Sequence, residues 1–397
     1  MLNRRHFLAL SAATASLAIA PAAAFAASAD DPRFMFIFLR GGMDGLSAVP
    51  TPNDPIYQSL RPSIAVSASD ALPLDDTFAL HPALTGLHEM FSNSEATIFH
   101  GISSPNRERS HFEAMRHLEQ GGDTLDSIST GWLARTLSAH YGQEETAGIA
   151  LSQALQTSFL GAENVLTWAP SRIPAAPDRF LDQLDGLYAS SLVLQKALDD
   201  GRTANEIAAT QTNGELDNEE TDNSMVAVQS GSPQDLARSA GQFLALDDGP
   251  RIAMMDIGGW DTHDNQVNDL NQQLPMLDQS LQQLKSSLGN AWQYTAVLVM
   301  TEFGRTVAEN GTGGTDHGTA GAAFLLGGAV AGGQVQADWR GLSEDNLLEG
   351  RDLVPTTDAR SVMKAILVDH LGMTIQLAES EIFPDSTDAA KTQGLFI

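Results

Sequence analysis

Phe34 to Leu39 reads FMFIFL, six residues without a polar side chain. A run this short, with no alternation, fits a strand buried on both faces, and such strands belong to parallel sheets covered by helices. The pattern recurs at Ala96 to Gly101 (ATIFHG), Arg251 to Ile257 (RIAMMDI) and Ala296 to Met300 (AVLVM). Helical spacing separates these runs. His81-Pro82 opens a helix through about Phe91, Ser110-His111 opens another, and Gln266 to Leu288 places Leu270, Leu274, Leu277, Leu281 and Leu284 on one face. Ile64 to Val66 reads as a short strand, Ile149 to Phe159 is only weakly patterned, and Pro355 to Asp358 caps a helix from Ala359 to Leu371. Strands alternating with helices imply an α/β fold, a doubly wound and mostly parallel sheet flanked by helices. Phe34–Leu39, Thr97–His100, Ile252–Asp256 and Ala296–Met300 are expected in one sheet with their carboxyl ends on a common edge.

That edge is where an open α/β sheet binds ligands, and polar residues follow each run. Asp44 comes after FMFIFL in Arg40-Gly-Gly-Met-Asp-Gly; it is either a turn residue or a metal ligand. Ser110, with His111, heads a helix: a capping box with Glu113, or a nucleophile. Arg107 and Arg109 just before it hold an oxyanion or are simply solvated. Asp261 and His263 lie two apart after RIAMMDI, as ligands or as a structural turn. Glu302 and Arg305 follow AVLVM, and Asp316-His317 sits in the glycine-rich loop beyond, before a second apolar run from Ala322 to Leu326. This last stretch is a hairpin with polar residues in solvent unless the cluster holds a ligand. Carboxylate and imidazole without thiolate suit Zn, Mn, Mg or Ca, and the chain has no cysteine. Asp44, Asp261, His263, Glu302, Asp316 and His317 are expected to converge on one pocket. Carboxylates gathered in a partly dry cleft need a compensating cation.

The N-terminus is an address rather than structure. Residues 1–26 carry Arg4-Arg5 ahead of Phe7-Leu8, a mild Ala-rich apolar run and the small-x-small site Ala24-Phe25-Ala26. This reads as a twin-arginine signal, so the twin-arginine translocase is the expected partner during export and the mature protein is expected to be periplasmic or secreted. Residues 27–397 are expected to form a single α/β domain, interrupted near 199–234 by a polar acidic insertion around GELDNEETDNS. No other stretch is long and apolar enough for a stable membrane span. A formal net charge of −28 argues against nucleic acid as a partner.

The order of polar strand ends resembles the alkaline phosphatase and sulfatase superfamily. More closely, the chain resembles the domain of unknown function 1501 family of exported bacterial proteins. The matching segments are Phe38-Leu-Arg-Gly-Gly-Met-Asp-Gly, Pro105-Asn106 with Arg109-Ser-His-Phe, Gly259-Trp-Asp-Thr-His, Thr301-Glu-Phe-Gly-Arg-Thr and Gly314-Thr-Asp-His-Gly. The resemblance implies an alkaline-phosphatase-like fold. It makes Asp44 the first-strand metal aspartate, Asp261 and His263 an Asp and His of one metal site, His317 the late histidine and Ser110 the nucleophile. Two departures stand out: Asp261 and His263 are closer than the superfamily's Asp-x-x-x-His, and Phe303 stands after Glu302 where a histidine is usual. The function implied is a metal-dependent hydrolase of phosphate or sulfate esters, with Arg305 or Arg109 on the oxygens of a small anionic substrate. The alternative is a non-catalytic binding or assembly protein of the cell envelope on the same scaffold.

Overall fold

The computed structural model describes residues 31–123, 128–142, 147–170, 178–212 and 231–397. The signal-like segment and residues 213–230 of the acidic stretch lie outside them; the stretch's first part lies in a helix, Leu192–Thr212. The main sheet contains β1 (Arg33–Leu39), β2 (Ala96–Ser103), β3 (Gly148–Leu151), β4 (Val165–Trp168), β5 (Ile252–Ile257), β6 (Thr295–Thr301), β7 (Gly321–Leu326), β8 (Gln334–Gln336) and β9 (Thr357–Asp358). Their spatial order is β8-β2-β7-β6-β1-β5-β3-β4, with β9 also pairing with β2. All pairings are parallel except those of β7, which runs antiparallel to both β2 and β6.

The apolar run of β1 is central because both its faces are covered. Met35, Ile37 and Leu39 pack into one core with α1 (Thr85–Ser92), and Phe34, Phe36 and Phe38 into another with α2 (His111–Gln120) and α3 (Trp132–His140). The first core also receives α4 (Pro233–Leu244) and α5 (Gln266–Leu288), through Leu236, Phe243 and the five leucines of the expected stripe. The second takes Val362 and Met363 of α6 (Ala359–Ala365). Each buried Phe is worth roughly 1.5–3 kcal/mol by removal from water. Among the described residues, no helix is long and apolar enough to cross a membrane.

Three local expectations change. Ile64–Val66 is not a strand but part of a turn, with Ile64 N–H and Ala65 N–H donating to Arg61 O. The helix after His81-Pro82 starts at Thr85. The segment past Ala365 widens into a π-helical turn, Ile366–His370.

Register places the site. Leu39 pairs with Ile257 of β5 and with Thr301 of β6, so these three strands end at one level. The chain leaves β6 there, makes a long loop, and returns as β7. The stretch from 295 to 328 is therefore a wide hairpin whose loop lies over the carboxyl edge.

Two histidines of the scaffold make the fold acid-sensitive. Burial pushes His100 down to about 4, although its Nε2 lies 3.2 Å from Val49 O. Burial pushes His370 down to about 4 as well, with Nε2 2.8 Å from Arg33 O. Between pH ~6.5 and 4 the unfolded chain binds protons that these folded imidazoles refuse, so stability rises with pH across that window. At pH 5 each is expected to cost about 2 kcal/mol relative to pH 7. Urea unfolding at the two pH values checks this, and His370→Gln should remove about 2 kcal/mol of the difference. Equal stability at both pH values would refute it.

Candidate metal centre

Three loops leave the aligned ends of β1, β5 and β6: Arg40-Gly41-Gly42, Gly258 to His263, and Glu302 onward. Arg305 ties them together. Its Nε donates to Gly42 O at 2.6 Å, Nη1 to Thr315 O at 3.0 Å, and Nη2 to Gly41 O, to Trp260 O at 3.1 Å and to the Asp261 carboxylate at 2.5 Å. The guanidinium is fully buried. The loops approach so closely that glycine is obligatory at the contact. Gly41 has φ +124°, and a Cβ there would fall 2.6 Å from Asp261 N.

On this frame three imidazoles are set in the same way. His111, the first residue of α2, places Nδ1 2.7 Å from Glu302 Oε1. Glu302 is 1% exposed and is fixed by Gly41 N–H at 2.8 Å and the Thr301 hydroxyl at 2.9 Å. His317 Nδ1 lies 2.8 Å from Arg109 O, and His263 Nδ1 lies 3.3 Å from Asp316 Oδ1. An imidazole that donates through Nδ1 presents a bare lone pair at Nε2. All three Nε2 atoms turn toward Asp261: His111 at 3.4 Å, His263 at 3.1 Å and His317 at 3.2 Å from its carboxylate oxygens. His263 Nε2 and His317 Nε2 are 2.9 Å apart. Two bare lone pairs facing each other beside a carboxylate call for a cation.

His111, Asp261 and His317 offer ligand atoms within 4.8 Å of one another. His111 Nε2 is buried and makes no hydrogen bond among the described residues. An acceptor behind each imidazole is the usual support of metal-ligating histidines, and nitrogen with carboxylate oxygen is a donor set for Zn or a similar ion. The residues therefore fit a divalent metal. Phe303 forms the floor, with its ring 4.8 Å from both His111 and His317.

The electrostatics follow the same pattern. The hydrogen bond to Glu302 holds His111 above the ordinary imidazole range, while burial pushes His317 below it. Desolvation raises the Asp261 carboxyl, but the Arg305 hydrogen bond and charge outweigh it and hold the carboxyl below the usual range. Asp316 is held low first by Asn310, with His263 adding to it.

Of the residues expected to converge, Asp261, His263, Glu302, Asp316 and His317 do so. Asp44 does not join them. It is 1% exposed, caps the short helix Gly45–Ala48, and pairs with buried Arg61 at 2.6 Å while accepting from Gln266 Nε2 at 2.6 Å and the Ser47 hydroxyl at 2.9 Å. Desolvation opposes ionisation of Asp44, yet Arg61 keeps its carboxyl low. The expected oxyanion role of Arg305 meets a geometric obstacle: its guanidinium is enclosed and committed to the loops. Arg109 pairs with Asp352 and Glu349, each at 2.8 Å, and reaches the centre through its carbonyl. Ser110 is the N-cap residue of α2, but its side chain makes no capping hydrogen bond, so the capping box is not formed. His111 was absent from the expected ligand set. The signal for it was its place beside Ser110 at a helix start on the carboxyl edge.

The family described as protein of unknown function (DUF1501) matches residues 31–382. No curated protein matches the chain. Among solved structures, the chain is similar to the alkaline phosphatase of the Antarctic bacterium TAB5 in a form with Mg bound (12% identity, 75% of this chain and 92% of that one, TM-score 0.38). It is also similar to a protein in the alkaline phosphatase superfamily from Vibrio parahaemolyticus (11%, 75% and 60%, TM-score 0.36). A third is the C-terminal periplasmic domain of EcEptC from Escherichia coli in complex with Zn (10%, 75% and 73%, TM-score 0.36). At these identities and TM-scores the likeness carries no inference about activity.

Removing the buried guanidinium would strand several carbonyls and the Asp261 carboxylate. Arg305→Met is expected to cost about 3–5 kcal/mol, read as a fall in urea midpoint. A loss below about 1 kcal/mol would show that the loops hold themselves.

Proposed function

The chain belongs to the DUF1501 family, and from that premise we propose that it is an exported, metal-dependent hydrolase of phosphate or sulfate esters. The observation that carries the reading is the common setting of His111, His263 and His317: each Nδ1 faces an acceptor, and each Nε2 turns to the Asp261 carboxylate.

His111, His317 and Asp261 would hold the ion, with His263 beside them. When bound, a divalent ion supplies a Lewis acid for an ester oxygen and charge against the developing anion. Glu302 keeps the proton on His111 Nδ1 and so leaves Nε2 free to ligate; Arg109 O and Asp316 do the same for His317 and His263. Arg305 keeps Asp261 ionised and fixed. Phe303 closes the floor to water, which strengthens electrostatic interactions above it. Ser110, uncommitted to capping and one residue from His111, is the nucleophile in this reading.

The purified mature protein is expected to carry about one equivalent of metal, measured by elemental analysis. Glu302→Gln should weaken metal binding about 10–100-fold, and His111→Ala more. Affinity should fall as pH drops through the imidazole range near ~6.5, because protons compete for the ligand nitrogens. Hydrolysis of an aryl phosphate or sulfate should vanish in Ser110→Ala with metal retained. Activity that survives both Asp261→Ala and His263→Ala would end the proposal.

One observation favours a second reading, a metal-binding envelope protein without catalysis. Arg305 and Arg109, the two arginines expected to bind substrate oxygens, are both committed to carbonyls and carboxylates. Stoichiometric metal with no ester turnover would select it. In either reading we infer export by the twin-arginine route. Arg4→Lys with Arg5→Lys should strand the precursor in the cytoplasm, followed by cell fractionation, and unimpaired export would show another route.

A further inference from the structure

A second recess opens on the same edge of the sheet, around the ends of β2 and β9. It has a volume of about 470 Å³ and is lined by Arg107, Thr356, Thr357, Ser361, Asp388 and Thr392, with Asp358 beside them. That size lies in the range of small-molecule sites. Arg107 belongs to the segment between β2 and α2 that also delivers Ser110 and His111.

The wall combines a donor, Arg107, with acceptors, Asp358 and Asp388, and with hydroxyls that do both. Arg107 Nη1 donates to Ser104 O, to Asn106 O at 3.1 Å and to the Ser103 hydroxyl at 3.3 Å. Among the described residues, its Nε and Nη2 have no partner. The hydroxyls of Ser361 and Thr392 lie 3.0 Å apart, and Ser361 donates to Asp358 O at 2.7 Å. If Thr392 donates to Ser361, its lone pairs remain for a ligand. The Asp388 side chain is 80% exposed, and Arg360 approaches it only at 3.8 Å. Arg360 is itself engaged by Asp358 at 2.8 Å and by Asp123.

The charges nearly cancel. Arg107 and Arg360 stand against Asp358 and Asp388, with Asp123 behind. A strongly charged ligand would meet as much repulsion as attraction, and an apolar one would strand hydroxyls and carboxylates. A neutral ligand with many hydroxyls satisfies both kinds of group at once, since each of its hydroxyls donates and accepts.

We propose that this recess is a binding site for a neutral polyhydroxylated ligand, such as a sugar unit, held between the Arg107 guanidinium and the Asp388 carboxylate with Thr357, Ser361 and Thr392 on its hydroxyls. The proposal is independent of whether the metal centre hydrolyses esters.

The test is calorimetric titration of the full mature chain with maltose, cellobiose and chitobiose, with inorganic phosphate as the anionic probe. At least one disaccharide is expected to bind. Asp388→Ala and Thr392→Val, both away from the metal centre, should each weaken that binding about tenfold, the equivalent of one hydrogen bond. Neither should change the metal content, and the exposed Asp388→Ala should leave the melting temperature unchanged. Phosphate at the same concentration should not compete. Three outcomes would overturn the proposal: none of the disaccharides binds, phosphate displaces them, or both variants bind as the parent does.

Discussion

Arg305 is the contact on which the rest of the carboxyl edge depends. Parallel pairing brings β1, β5 and β6 to one level, but it says nothing about the loops beyond. Those loops expose carbonyls at Gly41, Gly42, Trp260 and Thr315, and a buried guanidinium with five N–H donors satisfies them together. The same group grips Asp261 and so fixes the carboxylate around which the imidazoles gather. A residue expected to meet a substrate is thus the internal brace that makes the site rigid.

The cluster above the brace is organised by hydrogen bonds from behind. Glu302, Asp316 and Arg109 O each take an Nδ1 proton, which decides the tautomer and aims three lone pairs at one carboxylate. The buried Phe303 ring packs against both His111 and His317. His263 Nε2 and His317 Nε2 come within 2.9 Å of each other beside the Asp261 carboxylate, where a divalent ion would be accommodated.

The sheet was legible in the sequence because its central strands are unbroken apolar runs, and the leucine stripe of α5 is explicit. The short strands β3 and β4 were not, since Gly148–Leu151 and Val165–Trp168 are too brief to show a period. The antiparallel return of β7 was carried only as the hairpin alternative to a ligand site, and the structure has both the hairpin pairing and the gathered polar loop. Five of the six expected ligands meet, as strand-end residues of one edge should. Asp44 was misallotted because its partner, Arg61, lies in a loop 17 residues on and is identified only by the fold. His111 was overlooked because a histidine behind a serine at a helix start reads first as part of a cap. Its acceptor, Glu302, is 191 residues away.

The central claim, that His111, His317 and Asp261 hold one divalent ion, is tested most directly by anomalous diffraction from crystals of the natively exported protein. The account predicts a single anomalous peak about 2.0–2.3 Å from His111 Nε2, His317 Nε2 and an Asp261 oxygen. A peak at Asp44 instead, or no divalent metal by elemental analysis of the same protein purified without chelator, would contradict it.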